Sequence, residues 1–364
     1  MNYCEKIRYR IYSVEKEAFP VMVDRLLGLL PEGEAVLRLA FFGMPASNDE
    51  YLARREVLKE KVAARFEERE PALSYVSQPP LHAALLVEVH SFVPDEMDKI
   101  VYKQFHNYPY CVLVNEEGRF LFAGGFQSDD LNKSIEQQSV EVFRHIDGLL
   151  AFERFPIFSI IRQWNYIEQI TSFREENQHY QSFNNVRGDF YAKTTWENGY
   201  PAATGIGANL GGVLVDLDAA VFSSPSAYTT PIDNPLQVAA HAYSDKVLET
   251  AKQKKATPKF ERAKSMTFDN RRLIYISGTA AIRGEESLKG VGLARQLQAT
   301  MENIARLTGP ARPIILRVYL KDKALNAEAE RLMNEYRLDI PVSYMWADVC
   351  RDELLIEIEG IAIE

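Results

Sequence analysis

Cysteine is scarce: Cys4, Cys111 and Cys350 are the three in 364 residues, too few and too scattered for a disulfide framework or a zinc site. The six histidines are dispersed with no metal-ligand spacing, so neither a metal nor a cofactor is expected. Long apolar runs are also missing. A membrane helix needs ~20 apolar residues, whereas the longest runs are pieces such as Ala83 to Val87, and no signal-peptide-like stretch follows Met1. Positive charge is in deficit, with 42 Lys and Arg against 51 Asp and Glu, a formal charge of −9. An acidic balance argues against a nucleic-acid scaffold, which needs a basic face for phosphates. It leaves room for a local arginine cluster that holds a small anion. These absences lead to the expectation of a cytoplasmic protein with no nucleic-acid and no membrane partner. What is present is an ordinary globular balance, 46% hydrophobic and 26% charged, in a chain long enough for two or three compact units.

The chain repeats itself. Leu85-Leu86-Val87-Glu88-Val89-His90, Val213-Leu214-Val215-Asp216-Leu217-Asp218 and Leu354-Leu355-Ile356-Glu357-Ile358-Glu359-Gly360 each read as a strand with acidic residues set into an apolar run. Strand periodicity puts Glu357 and Glu359 on one face, as it does Asp216 and Asp218. Before each lies a strand that begins after a proline (Pro71, Pro201, Pro341). Ahead of that come a polar helical stretch (49–70, 174–192, 325–337), another strand (35–42, 158–166, 314–321) and an amphipathic helix (17–30, 132–150, 291–307). Leu293, Leu297, Met301 and Ile304 mark the buried stripe of the last helix, and Leu325, Ala329, Leu332, Met333 and Tyr336 share one face of the preceding type. Units two and three add a leading strand that ends at a glycine, 119–124 and 273–278. The expected organisation is three units, 1–95, 96–223 and 224–364, of an α+β fold that closes on itself as a homotrimer would.

The third unit resembles the YjgF/Rid superfamily through Tyr275-Ile276-Ser277-Gly278-Thr279-Ala280, Val318-Tyr319-Leu320-Lys321-Asp322 and Ile356-Glu357-Ile358-Glu359-Gly360. Those proteins are trimers of small α+β subunits, related in shape to a trimeric chorismate mutase, with sites between subunits. The resemblance implies three such units in one chain as a pseudo-trimer, mixed sheets with helices packed on one side, and hence a monomer. Further motifs resemble the chorismatase family over about 160–363. They are Trp164-Asn165-Tyr166-Ile167, Tyr180-Gln181-Ser182-Phe183-Asn184 with Arg187, the Gly199–Gly207 run, Asn234-Pro235, Phe260-Glu261-Arg262-Ala263, and Ser277-Gly278-Thr279-Ala280 with Glu286-Ser287. Residues 1–155 carry no motif that extends the likeness.

The chorismatase resemblance implies a chorismate-like dianion as substrate, released as pyruvate and a cyclic acid. That chemistry needs an acid to protonate the enolpyruvyl methylene carbon, and burial beside a second carboxylate raises a carboxyl pKa towards neutral. Glu357 is the candidate general acid, and Glu359 the neighbour that keeps it protonated. Arg suits the carboxylates of a dianion, so Arg187, Arg262 and Arg317 are the binding candidates. Tyr180 and Tyr243 are candidate donors, and Thr204 and Gly205 stand where a backbone approaches a ligand. Cys350 matches the branch that makes 3-hydroxybenzoate, which favours that product over a dihydroxycyclohexadiene carboxylate. The family pattern has arginines where this chain has Leu236 and Ala242, with His241 as a substitute donor. The alternatives are a Rid-type enamine or imine deaminase, whose arginine on the penultimate strand is absent from Pro341–Trp346, and a non-catalytic small-molecule-binding protein of the same superfamily.

Overall fold

Apolar and polar residues alternate along the strands, and the chain builds three sheets from them in succession. The computed structural model describes residues 2–174, 177–244 and 257–364. A short helix α1 (Tyr3–Lys6), closed by a reciprocal capping box between Asn2 and Glu5, leads into β1 (Ile7–Val14). The first sheet adds β2 (Ala35–Gly43), β3 (Ala72–Val76) and β4 (Leu85–Phe92), with α2 (Phe19–Gly28) and α3 (Asn48–Phe66) in the connections. Pro20 stands in the first turn of α2, where its missing N–H is harmless, and Ser47 caps α3.

The second sheet comprises β5 (Lys99–Phe105), β6 (Tyr108–Val114), β7 (Gly118–Gln127), β8 (Ile160–Glu168), β11 (Ala202–Ala208) and β12 (Val213–Phe222). Its helices are α4 (Ile135–Glu153) and α5 (His179–Tyr191), and β9 (Phe173–Arg174) pairs with β10 (Asn177–Gln178) beside them. The third sheet comprises β13 (Ala227–Ile232), β14 (Ala263–Phe268), β15 (Arg271–Ala280), β18 (Arg312–Leu320), β19 (Val342–Trp346) and β20 (Ile356–Ile363). It carries α6 (Gly292–Thr308) and α7 (Asn326–Asn334), with a small ribbon of β16 (Ile282–Arg283) and β17 (Glu286–Ser287).

All three sheets share one strand order. It runs β1-β4-β2-β3 in the first, β7-β12-β8-β11 within the second and β15-β20-β18-β19 within the third. In each, the last pair is parallel and the others antiparallel. One face of each sheet is covered by its own helix pair. Leu39, Phe41 and Val87 meet α2 and α3; Leu121, Val215 and Leu217 meet α4 and α5; Ile276, Val318 and Ile358 meet α6 and α7. The opposite faces converge on a single central cluster, to which Leu37, Phe42, Trp164, Tyr166, Tyr275 and Tyr319 all belong. The expected α+β architecture, with mixed sheets and helices on one side, is the one observed.

Four details differ from the sequence reading. The first sheet also has a leading strand, β1, and it lacks the glycine that stands at an internal bulge in its two counterparts, β7 and β15. The second sheet is extended by β5 and β6, a hairpin turned at His106 and Asn107, and the third by β13 and β14, which pair across the long connection 233–262; neither pair figures in the repeat read from the sequence. The helix expected over 174–192 starts at His179; Arg174 is extended, and 175–176 lie outside the described residues. Finally, α7 ends at Asn334, so Tyr336 lies past the helix and is exposed, while Ala329 and Met333 carry the buried face.

The sheets are joined by charge as well as by apolar packing. Arg38, Arg162 and Arg317 occupy the same place in β2, β8 and β18, each paired across the ladder with His90, Asp218 and Glu359 respectively. Each arginine reaches the next sheet: Arg38 meets Asp218 at 2.5 Å, Arg162 meets Glu359, and Arg317 meets Glu88 at 2.8 Å. All six groups are buried, and a buried charge without its partner is costly. The cyclic exchange therefore sets the orientation of three otherwise similar sheets.

Candidate active site

On β20, Ile356 and Ile358 point into the helix-covered core, which leaves Glu357 and Glu359 on the central face. The two buried carboxyls have opposite surroundings. Glu359 accepts from Tyr319 Oη at 2.8 Å and from the Thr204 hydroxyl, and it is paired with Arg162 and, at 2.7 Å, with Arg317. Glu357 makes no hydrogen bond among the described residues and faces a cavity between the second and third sheets. Burial, reinforced by the negative charge of Glu359 and opposed by Arg262 and Arg162, pushes its pKa up to about 8. At neutral pH Glu357 is a carboxylic acid with a proton to give.

Two glycines make this possible. The ladder between β15 and β20 shifts register between Ile276 and Thr279, and a Cβ at Gly278 would collide with the Glu357 carboxyl. The Gly278 N–H instead donates to Thr204 Oγ1 at 3.0 Å, and Arg162 donates to the same hydroxyl at 2.7 Å. A Cβ at Gly205 would lie 2.8 Å from the Tyr180 ring. Gly205 thus admits Tyr180 to the cavity wall.

The cavity encloses about 740 Å³ of atom-free space, the open mouth included. Its cationic side is built on Tyr243. The Arg262 guanidinium lies 5.3 Å and the Arg351 guanidinium 5.1 Å from that ring. Arg262 donates to Tyr243 Oη and, at 2.9 Å, to the Val238 carbonyl. Arg351 donates to the Glu285 carbonyl at 2.9 Å and to Ser287 Oγ at 3.1 Å. Cys350 completes the wall next to Arg351; burial and the nearby Glu357 push its thiol up to about 12, which keeps it neutral.

Of the residues singled out in the sequence, the structure brings Glu357, Cys350, Arg262, Tyr180, Gly205 and Tyr243 to this cavity. Glu359 and Thr204 stand directly behind it. The others lie elsewhere. Arg187 is buried behind the wall and donates to Asn184 Oδ1 at 2.6 Å. Arg317 is committed to Glu88, Glu359 and Tyr166 Oη, the last at 2.8 Å, because its position on β18 aims it at the first sheet. His241 packs on Tyr200, ring centroids 5.5 Å apart, and does not line the cavity. Neither do Leu236 and Ala242, so the arginines missing there are not missing from the wall; Arg351 supplies its second cation. Arg162 and Arg351 escaped the sequence reading. Arg162 carried a signal, a lone arginine in an apolar strand at the place that Arg38 and Arg317 take in the other repeats. Arg351 lies in a loop, where no periodicity marks it.

A mixed-sheet α+β fold with a buried glutamic acid of raised pKa and two arginines in an inter-sheet cleft forms a setting suited to a small organic anion. The comparisons with known proteins narrow that class. The family model described as chorismatase FkbO/Hyg5-like, N-terminal, matches residues 102–218, a span that includes the motifs from Trp164 to Gly207. The chain is 28% identical over 235 residues to a 3-hydroxybenzoate synthase of Streptomyces hygroscopicus, covering 58% of this chain and 65% of the relative. It is 29% identical to a chorismatase of Streptomyces rapamycinicus, covering 60% and 68%. The chain thus spans about two thirds of the length of these curated relatives. A crystal structure of a chorismatase superposes over 98% of both chains with a TM-score of 0.71 at 19% identity, which establishes the fold. The chain is thus similar to the chorismatase family, through its model over residues 102–218 and through curated members at 28–29% identity.

Proposed function

We propose that this protein cleaves chorismate to pyruvate and 3-hydroxybenzoate, with Glu357 as the general acid. The observation that carries the reading is Glu357 itself: buried, without a hydrogen bond among the described residues, its pKa raised to about 8, and in a cavity with two arginines. Chorismate is a dianion, and Arg262 and Arg351 present one guanidinium for each carboxylate. Glu357 gives its proton to the methylene carbon of the enolpyruvyl ether. The neighbouring ring hydroxyl adds to the resulting oxocarbenium carbon and gives up its proton, and the bond from that oxygen to the ring then breaks as the adjacent ring carbon loses its proton, which makes the ring aromatic. The ether oxygen stays on the ring as the phenol when its bond to the side chain breaks and pyruvate leaves; of the two protons released, one goes to the phenol and one restores Glu357. Chorismate and the two acids balance with no water taken up, whereas a dihydroxycyclohexadiene acid requires one. Cys350 and the apolar wall formed by Ala203 and Phe260 suit the route without water. The names of the two curated relatives support the same substrate.

Glu359 is assigned the role of holding Glu357 in its acid form; Tyr180 and Tyr243 orient the ring. The three units 1–95, 96–223 and 224–364 are proposed to form a pseudo-trimer within one chain, supported by the shared strand order and the cyclic arginine pairing. A single chain then suffices, and sedimentation at the mass of a trimer would overturn the monomer.

The test is pyruvate release from chorismate, coupled to lactate dehydrogenase, with chromatography of the ring product. Release by the native protein and its loss in Glu357→Gln is the expected result. No release above the spontaneous rate, or undiminished release by the variant, overturns the proposal.

A further inference from the structure

A second cavity, about 590 Å³ with its mouth, lies between the first and second sheets. By strand register it is the counterpart of the Glu357 cavity. Ala72 pairs with Arg38 as Ala202 pairs with Arg162, so Leu73 and Tyr75 stand where Ala203 and Gly205 stand in the other cleft. Gly125 lies at the β7 bulge as Gly278 lies at the β15 bulge. Arg55, Leu58 and Lys59 come from α3, the equivalent of α5.

The carboxylate equivalent to Glu357 is Asp216, and it is engaged. Ser74 Oγ donates to it at 2.6 Å, the Gly125 N–H donates at 2.7 Å, and Arg38 stands 3.6 Å away. It does not line the cavity. The cleft has kept a pocket without its acid.

We propose that this second cleft binds a hydroxylated ring monocarboxylate and does not transform it. Leu58, Leu73, Pro109 and Leu214 with the rings of Tyr75 and Tyr108 form apolar walls suited to a flat ring. Arg55 is oriented by Gln127, to which its Nη1 donates, and its Nη2 makes no hydrogen bond among the described residues. Lys59 stands at the rim, 3.1 Å from Glu56. Two cations and one carboxylate, Asp129, line the cavity, a balance that suits a monoanion rather than a dianion. The ligand's carboxylate goes to Arg55 and Lys59 and its ring hydroxyl donates to Asp129. The ring acid of the proposed reaction belongs to this class, but the site stands on its own lining and is tested without turnover.

The experiment is calorimetric titration of the full chain with 3-hydroxybenzoate. Two sites are expected in the native protein, one each in Arg262→Gln and in the double variant Arg55→Gln/Lys59→Gln, with pyruvate release unchanged in the double variant. Benzoate, which lacks the hydroxyl, is expected to bind the second site about tenfold more weakly. Arg55 and Lys59 are one quarter to one third exposed, and Lys59→Glu alone, at the rim, provides a second variant that loses the site. Retention in both Lys59 variants of every site that the native protein shows overturns the proposal, whether that number is one or two. Absence of chorismate cleavage with the second site intact would sink only the catalytic reading.

Discussion

The two clefts that flank the second sheet are built from the same strands in the same order, and they differ in what surrounds one carboxyl group. Between the second and third sheets, Glu357 carries one more methylene than its counterpart, accepts no hydrogen bond from the described residues and reaches the cavity. Between the first and second, the shorter Asp216 is held by a hydroxyl, an N–H and an arginine. Donors to a carboxylate favour its charged form, and burial without donors favours the neutral one. A repeated fold thus surrounds one carboxyl with donors and leaves its counterpart facing a cavity, by adding or withholding two hydrogen bonds.

The largest effect separates the pair directly. Glu357→Gln is expected to lower pyruvate release by about 10²–10⁴-fold, the range typical of a lost general acid, with its melting temperature kept. Asp216→Asn is expected to lower the melting temperature and leave the rate per folded molecule as it was. Equal rate losses in both would erase the distinction between the clefts.

Next comes Gly278→Ala. A methyl group there displaces the Glu357 carboxyl, and the rate is expected to fall at least tenfold while overpacking costs about 1–3 kcal/mol of stability. Unchanged turnover would mean that the carboxyl has no fixed place.

Glu359→Gln tests how the acid is kept protonated. The reactive form is the acid, so the native rate is expected to decline as pH rises through about 8. Removing the repulsion from Glu359 lowers the Glu357 pKa, and the decline is expected to move to lower pH. Arg162 and Arg317 lose their shared partner in this variant, and a cost of about 3–5 kcal/mol is expected from the stranded charge. A pH profile that stays in place would leave burial as the sole cause. The smallest effect is in Cys350→Ala, where the room gained is expected to admit water and raise the share of the diene acid, with total pyruvate little changed. An unaltered product ratio would remove Cys350 from the choice of product.

The placement of Glu357 was legible in the sequence because β-strand periodicity is strict: acidic residues at 357 and 359 share one face of a strand, and both are buried there. The same rule failed for Arg317. Its strand is buried on both faces, so alternation did not say which sheet the guanidinium meets. Arg187 lies in a matched motif and on the helix that lines the cavity, yet one turn further along it is turned away from the cavity. Thr204 and Gly205 were placed near the site correctly but for another reason, since Thr204 bridges Arg162, Glu359 and Gly278, and Gly205 makes way for Tyr180.

By itself the sequence determined the α+β class, the threefold recurrence of strands and helices, and the carboxyl pair on the last strand, because these follow from local periodicity. Which cleft has a free acid, which arginines face it and which are spent on joining sheets were decided only by the tertiary structure. Those outcomes depend on the partner that the neighbouring sheet brings within hydrogen-bond range, and that partner lies scores of residues away in the chain.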